Sequence, residues 1–221
     1  MRAAANYVRR IAVVPSFNPA SGGEYQYSQS ILHALDRLAA DSQVILYVRP
    51  VDRPLFGEMK LSSRFLLRPF DPLGMNRLLS RGKSIVRSLP FGPLMQDLYN
   101  GLRRYRGGAI HHPFPSKSSY GRYFLECGAR WVLFTAPTAM AFECGGPFAV
   151  PIHDLQHRLQ SQFPEVSARG EFERREYMFG NAARYARMIL VDSEAGKRDA
   201  LECYGSLGLA EDRIGVLSFR I

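Results

Sequence analysis

A pair of glycines stands where the first apolar run gives way to a helical pattern. Residues 11–14 are apolar, a loop follows, and Gly22 and Gly23 precede an amphipathic stretch from Tyr25. Glycines at such a turn let the backbone approach a ligand, and a helix N-terminus attracts anions. A plain tight turn also fits, since the loop matches neither the dinucleotide fingerprint nor the P-loop. The second strand ends in Arg49 instead of an acidic ribose ligand.

Polar side chains also follow two later apolar runs. His153 and Asp154 follow a run that starts at Phe148, while Ser193 and Lys197 follow the next one. A histidine beside an aspartate can donate hydrogen bonds, balance charge or transfer protons, and the serine and lysine could meet a phosphate. The structural alternatives stay open: the histidine could tie down a loop, and the serine could only cap a helix.

Three further histidines are weaker candidates. His111 and His112 end another apolar run and precede two prolines, so they line a site or form a buried structural pair. His157 lies four residues after His153 and could share a helical face with it. No third ligand of fitting spacing is found in the sequence, so we predict no metal site.

Seven short apolar runs must position these groups. Most are nearly continuous, which is typical of strands buried on both faces of a parallel sheet. They cover residues 10–15, 43–48, 109–112, 131–135, 148–153, 187–191 and 213–219. Helical patterns separate them, one opened by Ser193 and closed by Gly205. The alternation predicts an α/β fold, a Rossmann-like, doubly wound and mostly parallel sheet with helices on both faces. Its carboxyl edge would gather the polar groups.

The stretch of residues 50–108 breaks this rhythm. It holds no clean buried strand apart from a short run at residues 65–67. We predict a basic amphipathic excursion from the sheet, partly helical. It could dock on an anionic membrane surface or form a solvated basic face. The basic residues concerned are Arg77, Arg81, Lys83, Arg87, Arg103 and Arg104.

Composition sets the outer limits. The chain has 221 residues and 46% hydrophobic content, which predicts one large domain. A net charge of +9 favours acidic partners. Three widely spaced cysteines are typical of reduced thiols in a cytoplasmic protein. The first apolar run is too short for a signal peptide or a membrane span, so we expect any membrane association to be peripheral.

The motifs together resemble the large family of retaining GT-B glycosyltransferases, known as glycosyl transferases group 1 or family 4. Matching segments are Gly22-Gly23-Glu24, residues 152–157, residues 162–165 and residues 189–194, with Lys197, Asp199 and Tyr204-Gly205 downstream. The resemblance covers residues 11–37 and 109–219 and is most specific between His153 and Gly205.

The resemblance implies two Rossmann-like domains that face each other across a cleft. Residues 1–221 would be the single acceptor-side domain, with the C-terminal donor-binding domain absent. The implied reaction moves a sugar from a nucleotide-sugar to a glycan or lipid-linked acceptor with retention, in bacterial surface polysaccharide synthesis. No cofactor or obligatory metal is implied, because basic side chains and helix dipoles stabilise the diphosphate.

Site residues carry over motif by motif. His153 and Asp154 would be catalytic, with His153 near the developing oxocarbenium charge. The donor diphosphate would lie against Gly22, Gly23, Ser193 and Lys197. The acceptor would face Glu24, Tyr25, Tyr27, His111 and His112.

Two other readings remain. A non-catalytic α/β module that binds a polyanion fits the charge, although no nucleic-acid motif is present and nucleic acid is not an expected partner. A nicotinamide-dependent dehydrogenase is disfavoured by the missing fingerprint. The last predicted strand, residues 213–219, lacks the crossover that normally follows a parallel strand, so we expect a second domain beyond it. The resemblance places the main donor site and its catalytic glutamate in that domain, so we expect the chain to be inactive by itself.

Overall fold

The computed structural model describes residues 9–37, 42–70, 124 and 127–218, and within them seven strands form one sheet. The spatial order is β3-β2-β1-β4-β5-β6-β7, and every neighbouring pair is parallel. The strands are β1 (Arg9–Val14), β2 (Ser42–Val48), β3 (Phe65–Pro69), β4 (Trp131–Phe134), β5 (Phe148–Pro151), β6 (Met188–Val191) and β7 (Ile214–Val216). The predicted Rossmann-like parallel sheet is confirmed.

Helices cover both faces of this sheet. In the described part of the chain they are α1 (Gly23–Asp36), α2 (Arg53–Glu58), α3 (Gln156–Leu159), α4 (Pro164–Ser167), α5 (Glu171–Tyr185) and α6 (Glu194–Tyr204). Successive strand residues point to opposite faces. Val13 therefore packs with Ile31 and Leu32 of α1, while Ala12 shares a second core with Phe179 of α5 and Tyr204 of α6.

The direction of the winding reverses between β1 and β4. The chain runs outward from β1 to β2 and β3 on one side, and from β4 through β5 and β6 to β7 on the other. In open α/β sheets, ligands bind beyond the carboxyl ends of the strands at such a switch point. The topology therefore directs attention to the loops that follow β1, β4, β5 and β6.

Residues 50–70 of the predicted excursion form regular elements, and the short apolar run at residues 65–67 is part of a strand. They form α2 and β3, and β3 is an ordered parallel edge strand paired with β2. Only Phe65 of β3 is buried, because neighbouring elements cover less of an edge strand than of a central one. The apolar run in the sequence is accordingly short. The rest of the excursion, residues 71–108, lies outside the described residues.

Strand ends also shift slightly. β5 ends at Pro151, so His153 lies in the following loop, although the Ile152 N–H still donates to Leu190 O at 2.8 Å. β7 begins only at Ile214, because Arg213 ends a 3-10 turn and its guanidinium donates to Ala183 O at 2.8 Å. The predicted strand at residues 109–112 lies outside the described residues.

The described residues also show the state of the cysteines and the character of the helices. All three cysteines are free, as predicted. No helix in the described ranges has the length and apolar character needed to cross a membrane.

Candidate functional site

The glycine loop leaves β1 at the carboxyl edge of the sheet, and two buried hydroxyls hold its base. The Ser16 N–H donates to Thr135 Oγ1 at 2.7 Å, and the hydroxyl oxygens of Ser28 and Thr135 lie 2.7 Å apart. Gly22 has φ of +56°, which favours glycine. Among the described residues, no atom lies within 4 Å of a Cβ placed on Gly22 or Gly23. The backbone of the loop is therefore open to a ligand.

His153 follows β5, and two neighbouring side chains hold its imidazole. Nδ1 lies 3.3 Å from Oδ1 of Asp192, which follows β6. The ring of Tyr27 meets the imidazole edge to face, with centroids 4.7 Å apart. Nε2 is buried and has no hydrogen-bond partner among the described residues. A buried polar atom left unpaired costs about 1–3 kcal/mol, which a polar ligand group would offset.

Tyr27 of α1 differs from the prediction that it faces an acceptor. Tyr27 is fully buried, because it shares the inward face of α1 with Ile31, one turn further on. Its side chain supports His153 and does not face the cleft. Burial, and to a lesser degree the charge of Asp192, raise the pKa of Tyr27 far above its usual value, so its hydroxyl stays neutral. Tyr25 is half-buried and contacts Phe17 edge to face at 5.2 Å.

Asp154 joins the loop after β5 to helix α5. Its Oδ1 accepts from Arg175 Nη1 at 2.6 Å and from the Gln156 N–H at 3.1 Å. The second bond forms an Asx turn directly before α3. Arg175 Nε is buried and has no hydrogen-bond partner in the described part of the chain. Asp154 therefore combines a structural role with a position at the mouth of the site.

A small cleft brings these groups together. Its volume is about 110 Å³, and its lining consists of Glu24, Pro137, His153, Asp154, Arg174, Arg175, Met178 and Phe179. Carboxylates accept hydrogen bonds and guanidinium groups donate them, so the lining suits a molecule rich in hydroxyl groups. The volume lies below the range of about 300–1,000 Å³ that is usual for whole small-molecule ligands. The cleft therefore fits a fragment such as one sugar ring.

Ser193 and Lys197 lie at the start of α6, on the same edge of the sheet. Ser193 is the N-cap, and its Oγ accepts from the Gly196 N–H at 3.1 Å, as the sequence predicts. Lys197 Nζ lies 2.9 Å from Glu211 Oε1, and this ion pair raises the pKa of the lysine. A phosphate at Lys197 would have to compete with Glu211, whereas the N-terminus of α6 is open.

A polar cluster joined by hydrogen bonds contains His157. His157 Nε2 lies 2.8 Å from Glu176 Oε1 and 3.3 Å from the Tyr204 hydroxyl. Arg158 donates to both carboxylate oxygens of Glu176, at 2.7 and 2.6 Å. Burial alone would raise the pKa of Glu176, but the hydrogen bonds from Arg158, His157 and Tyr204 hold it far below its usual range. The cluster joins α3, α5 and α6.

His157 therefore does not share a ligand set with His153. Its ring packs between Phe172 and Phe179, each 5.5 Å away between centroids. No group of three or more potential metal ligands occurs within the described ranges. His111, His112 and the basic residues at positions 77–104 lie outside the described residues.

Sequence reasoning gave no role to three residues that shape the site. Asp192 stands directly after an apolar strand, the same signal that singled out His153, so strand position could have found it. Thr135 likewise follows β4. Arg175 lies within a helix rich in charge, and no local pattern distinguishes it from the solvated residues around it.

Comparison with known proteins leaves the family open. No protein-family model matches the sequence, and no curated protein matches it either. Among solved structures, the chain is similar to HepE from Anabaena, crystallised in complex with UDP and glucose. The two are 13% identical with a TM-score of 0.46 over 96% of this chain, which spans 45% of the HepE chain. A likeness this distant says nothing about activity or ligands.

Proposed function

We propose that this chain is the acceptor-side domain of a nucleotide-sugar-dependent glycosyltransferase of the retaining GT-B type. One observation carries the proposal: the Gly22–Gly23 loop, His153 and Ser193 come together at one edge, beyond β1, β5 and β6. These residues belong to the motifs that resemble the family. Ligands of open α/β sheets bind at this edge, so the position of all three favours a shared ligand.

The donor diphosphate is proposed to lie against the glycine loop. Two features support this placement. The backbone at Gly22 and Gly23 is open, and α1 begins there, so its free N–H groups and partial positive charge face the loop. The N-terminus of α6 at Ser193 adds a second such charge. Helix termini stabilise a leaving diphosphate electrostatically, and the proposed reaction needs no obligatory metal for this reason.

The sugar is proposed to lie at His153, with the acceptor in the adjoining cleft. The unpartnered Nε2 of His153 can meet a sugar hydroxyl, and Glu24 and Asp154 can accept from the hydroxyls of an acceptor ring. A cleft of about 110 Å³ supports one ring here and not a whole nucleotide-sugar. Most of the donor would then be held elsewhere in the complete protein.

Two finer elements belong to the same proposal. The acceptor would be a glycan or a lipid-linked precursor of a bacterial surface polysaccharide. The basic residues between positions 77 and 104 would dock the protein on the inner face of the membrane. Flotation with anionic vesicles tests the docking, because binding that weakens as salt rises supports it.

The decisive experiment is a transfer assay on the protein expressed from its complete reading frame. A panel of nucleotide-sugars is supplied with membrane glycan acceptors, and transfer and anomeric configuration are measured. His153→Ala is expected to lower turnover by about 10²-fold, the scale seen when one polar group at a charged transition state is removed. His33→Ala is the matched control, since His33 is exposed on α1.

Three results would contradict parts of this proposal. Loss of transfer after chelation by EDTA would contradict the metal-free part of the proposal. Absence of transfer from every donor, together with salt-sensitive binding to heparin, would favour the non-catalytic polyanion-binding module. Transfer that is equally fast in His153→Ala would remove His153 from the site.

A further inference from the structure

The sheet register places Asp192 beside His153. β5 and β6 are parallel neighbours in which Pro151 pairs with Leu190. Two residues beyond each partner stand His153 and Asp192, so they occupy the same row. Side chains in one row of a parallel pair point to the same face. Their meeting thus follows from strand order and register, and the measured distance of 3.3 Å between Nδ1 and Oδ1 agrees with it.

Asp192 is free for this contact. Ser193, and not Asp192, caps α6 through its hydroxyl. Within the described residues, the Asp192 carboxylate makes its hydrogen bond to His153 and no other. The ring of Tyr27 packs against the imidazole at an interplanar angle of 88°, with the centroids 4.7 Å apart. Both Asp192 and Tyr27 therefore hold the imidazole.

The chemistry of the pair decides which ring nitrogen carries the proton. A carboxylate only accepts hydrogen bonds, so the nitrogen that faces it must be the donor. In a neutral histidine the other nitrogen then has a free lone pair. At His153 that other nitrogen is Nε2, which is buried and has no hydrogen-bond partner among the described residues. A distance of 3.3 Å is long for such a bond, and bonds of this kind often tighten when a ligand binds.

We propose that Asp192 is a positioning residue that holds His153 as the Nδ1–H tautomer and leaves Nε2 as the nitrogen available to a ligand. Neutral imidazole in water prefers the Nε2–H tautomer, so Asp192 reverses the intrinsic preference. A ligand hydroxyl donates to Nε2 of the neutral ring, and Nε2–H donates to a ligand oxygen once the ring is protonated. The identity of that ligand as a sugar rests on the proposed function, whereas the tautomer does not.

The test is nitrogen-15 NMR on the chain labelled at histidine, because the ring shifts differ between the two tautomers. His153→Gln identifies the His153 signals by their loss. At a pH where the ring is neutral, the parent protein is expected to show the Nδ1–H pattern at His153. Asp192→Ala is expected to move these signals to the Nε2–H pattern. Asp212→Asn removes one exposed carboxylate elsewhere and should leave them unchanged.

Two results would overturn the assignment. One is an Nε2–H pattern at His153 in the parent, a measurement that needs no variant to fold. The other is an unchanged pattern in Asp192→Ala, or in Asp192→Asn should the alanine variant not fold. Asp192→Asn is expected to give a mixture, because an amide can either accept or donate. A clear Nδ1–H pattern without any transfer activity would sink the proposed function and leave the role of Asp192 intact.

Discussion

His153 and His157 lie four residues apart, and their surroundings differ sharply. His157 is fully buried, and its Nε2 has both Glu176 and Tyr204 as partners. His153 keeps 18% of its side chain exposed, lines a cleft and has one long hydrogen bond, to Asp192. Each ring also has one nitrogen without a partner among the described residues, Nε2 in His153 and Nδ1 in His157. Of the two histidines, only His153 lines the cleft that Glu24 and Asp154 also line.

The difference shows that one short segment can carry both a stabilising cluster and the proposed binding site. The cluster of His157, Arg158, Glu176 and Tyr204 joins α3, α5 and α6. It therefore fixes the segment that follows His153 and Asp154, as well as the helix that carries Arg175. A site that leaves polar groups unpaired needs supporting bonds of this kind, because packing and hydrogen bonds behind the site hold it in place.

The largest expected effect is on stability: breaking the cluster around His157 should cost much more free energy of unfolding than replacing His153. Glu176→Gln removes the charge that Arg158 and His157 share, and it should lower the free energy of unfolding by about 3 kcal/mol. Urea denaturation measures this change. Glu165→Gln, at an exposed position, is the control. In the same assay His153→Ala should change the free energy by less than about 1 kcal/mol. Equal losses in both variants would break the comparison.

The second prediction concerns the loss of stability at acid pH. The pKa of Glu176 lies below its unfolded value, so the unfolded chain takes up that proton first as the pH falls. The stability that Glu176 contributes is therefore present at neutral pH and is lost below the unfolded pKa of about 4.3. Urea midpoints from neutral pH down to about pH 3 should show the gap between parent and Glu176→Gln closing. A gap that stays constant would mean that the charge of Glu176 contributes nothing.

The smallest expected effect concerns the glycine loop at the same sheet edge as His153. Gly22→Ala should cost about 1 kcal/mol of stability, because φ at Gly22 is +56° and alanine is strained there. Gly23→Ala should be neutral or stabilising by about 0.5 kcal/mol, since Gly23 begins α1 and has open space beside it. If a diphosphate approaches this backbone, Gly23→Ala should still weaken nucleotide binding about tenfold. Calorimetric titration with UDP on the complete protein measures this, and unchanged affinity would place the diphosphate elsewhere.

Much of the candidate site could be predicted because it depends on strand ends. His153, Ser193 and the glycine pair each follow a buried apolar run, and a parallel sheet brings such positions to one edge. The capping role of Ser193 is local and needs no tertiary information. Tyr27 lies four residues before Ile31, so helical periodicity alone puts it on the apolar face of α1. Its contact with His153 depends on how α1 packs on the sheet, which no local pattern shows.

The sequence by itself determined the strand–helix alternation, the parallel sheet and the list of polar strand ends, because burial on both faces leaves apolar runs that can be read locally. Only the tertiary structure decided which partner each polar group meets. His153 and Asp192 are 39 residues apart, and Arg158 and Cys203 are 45 apart. Their contacts depend on strand order, register and the docking of α5 and α6, which no local pattern encodes. For β3 the sequence showed only a short apolar run at residues 65–67, and the structure decided that it is an edge strand paired with β2.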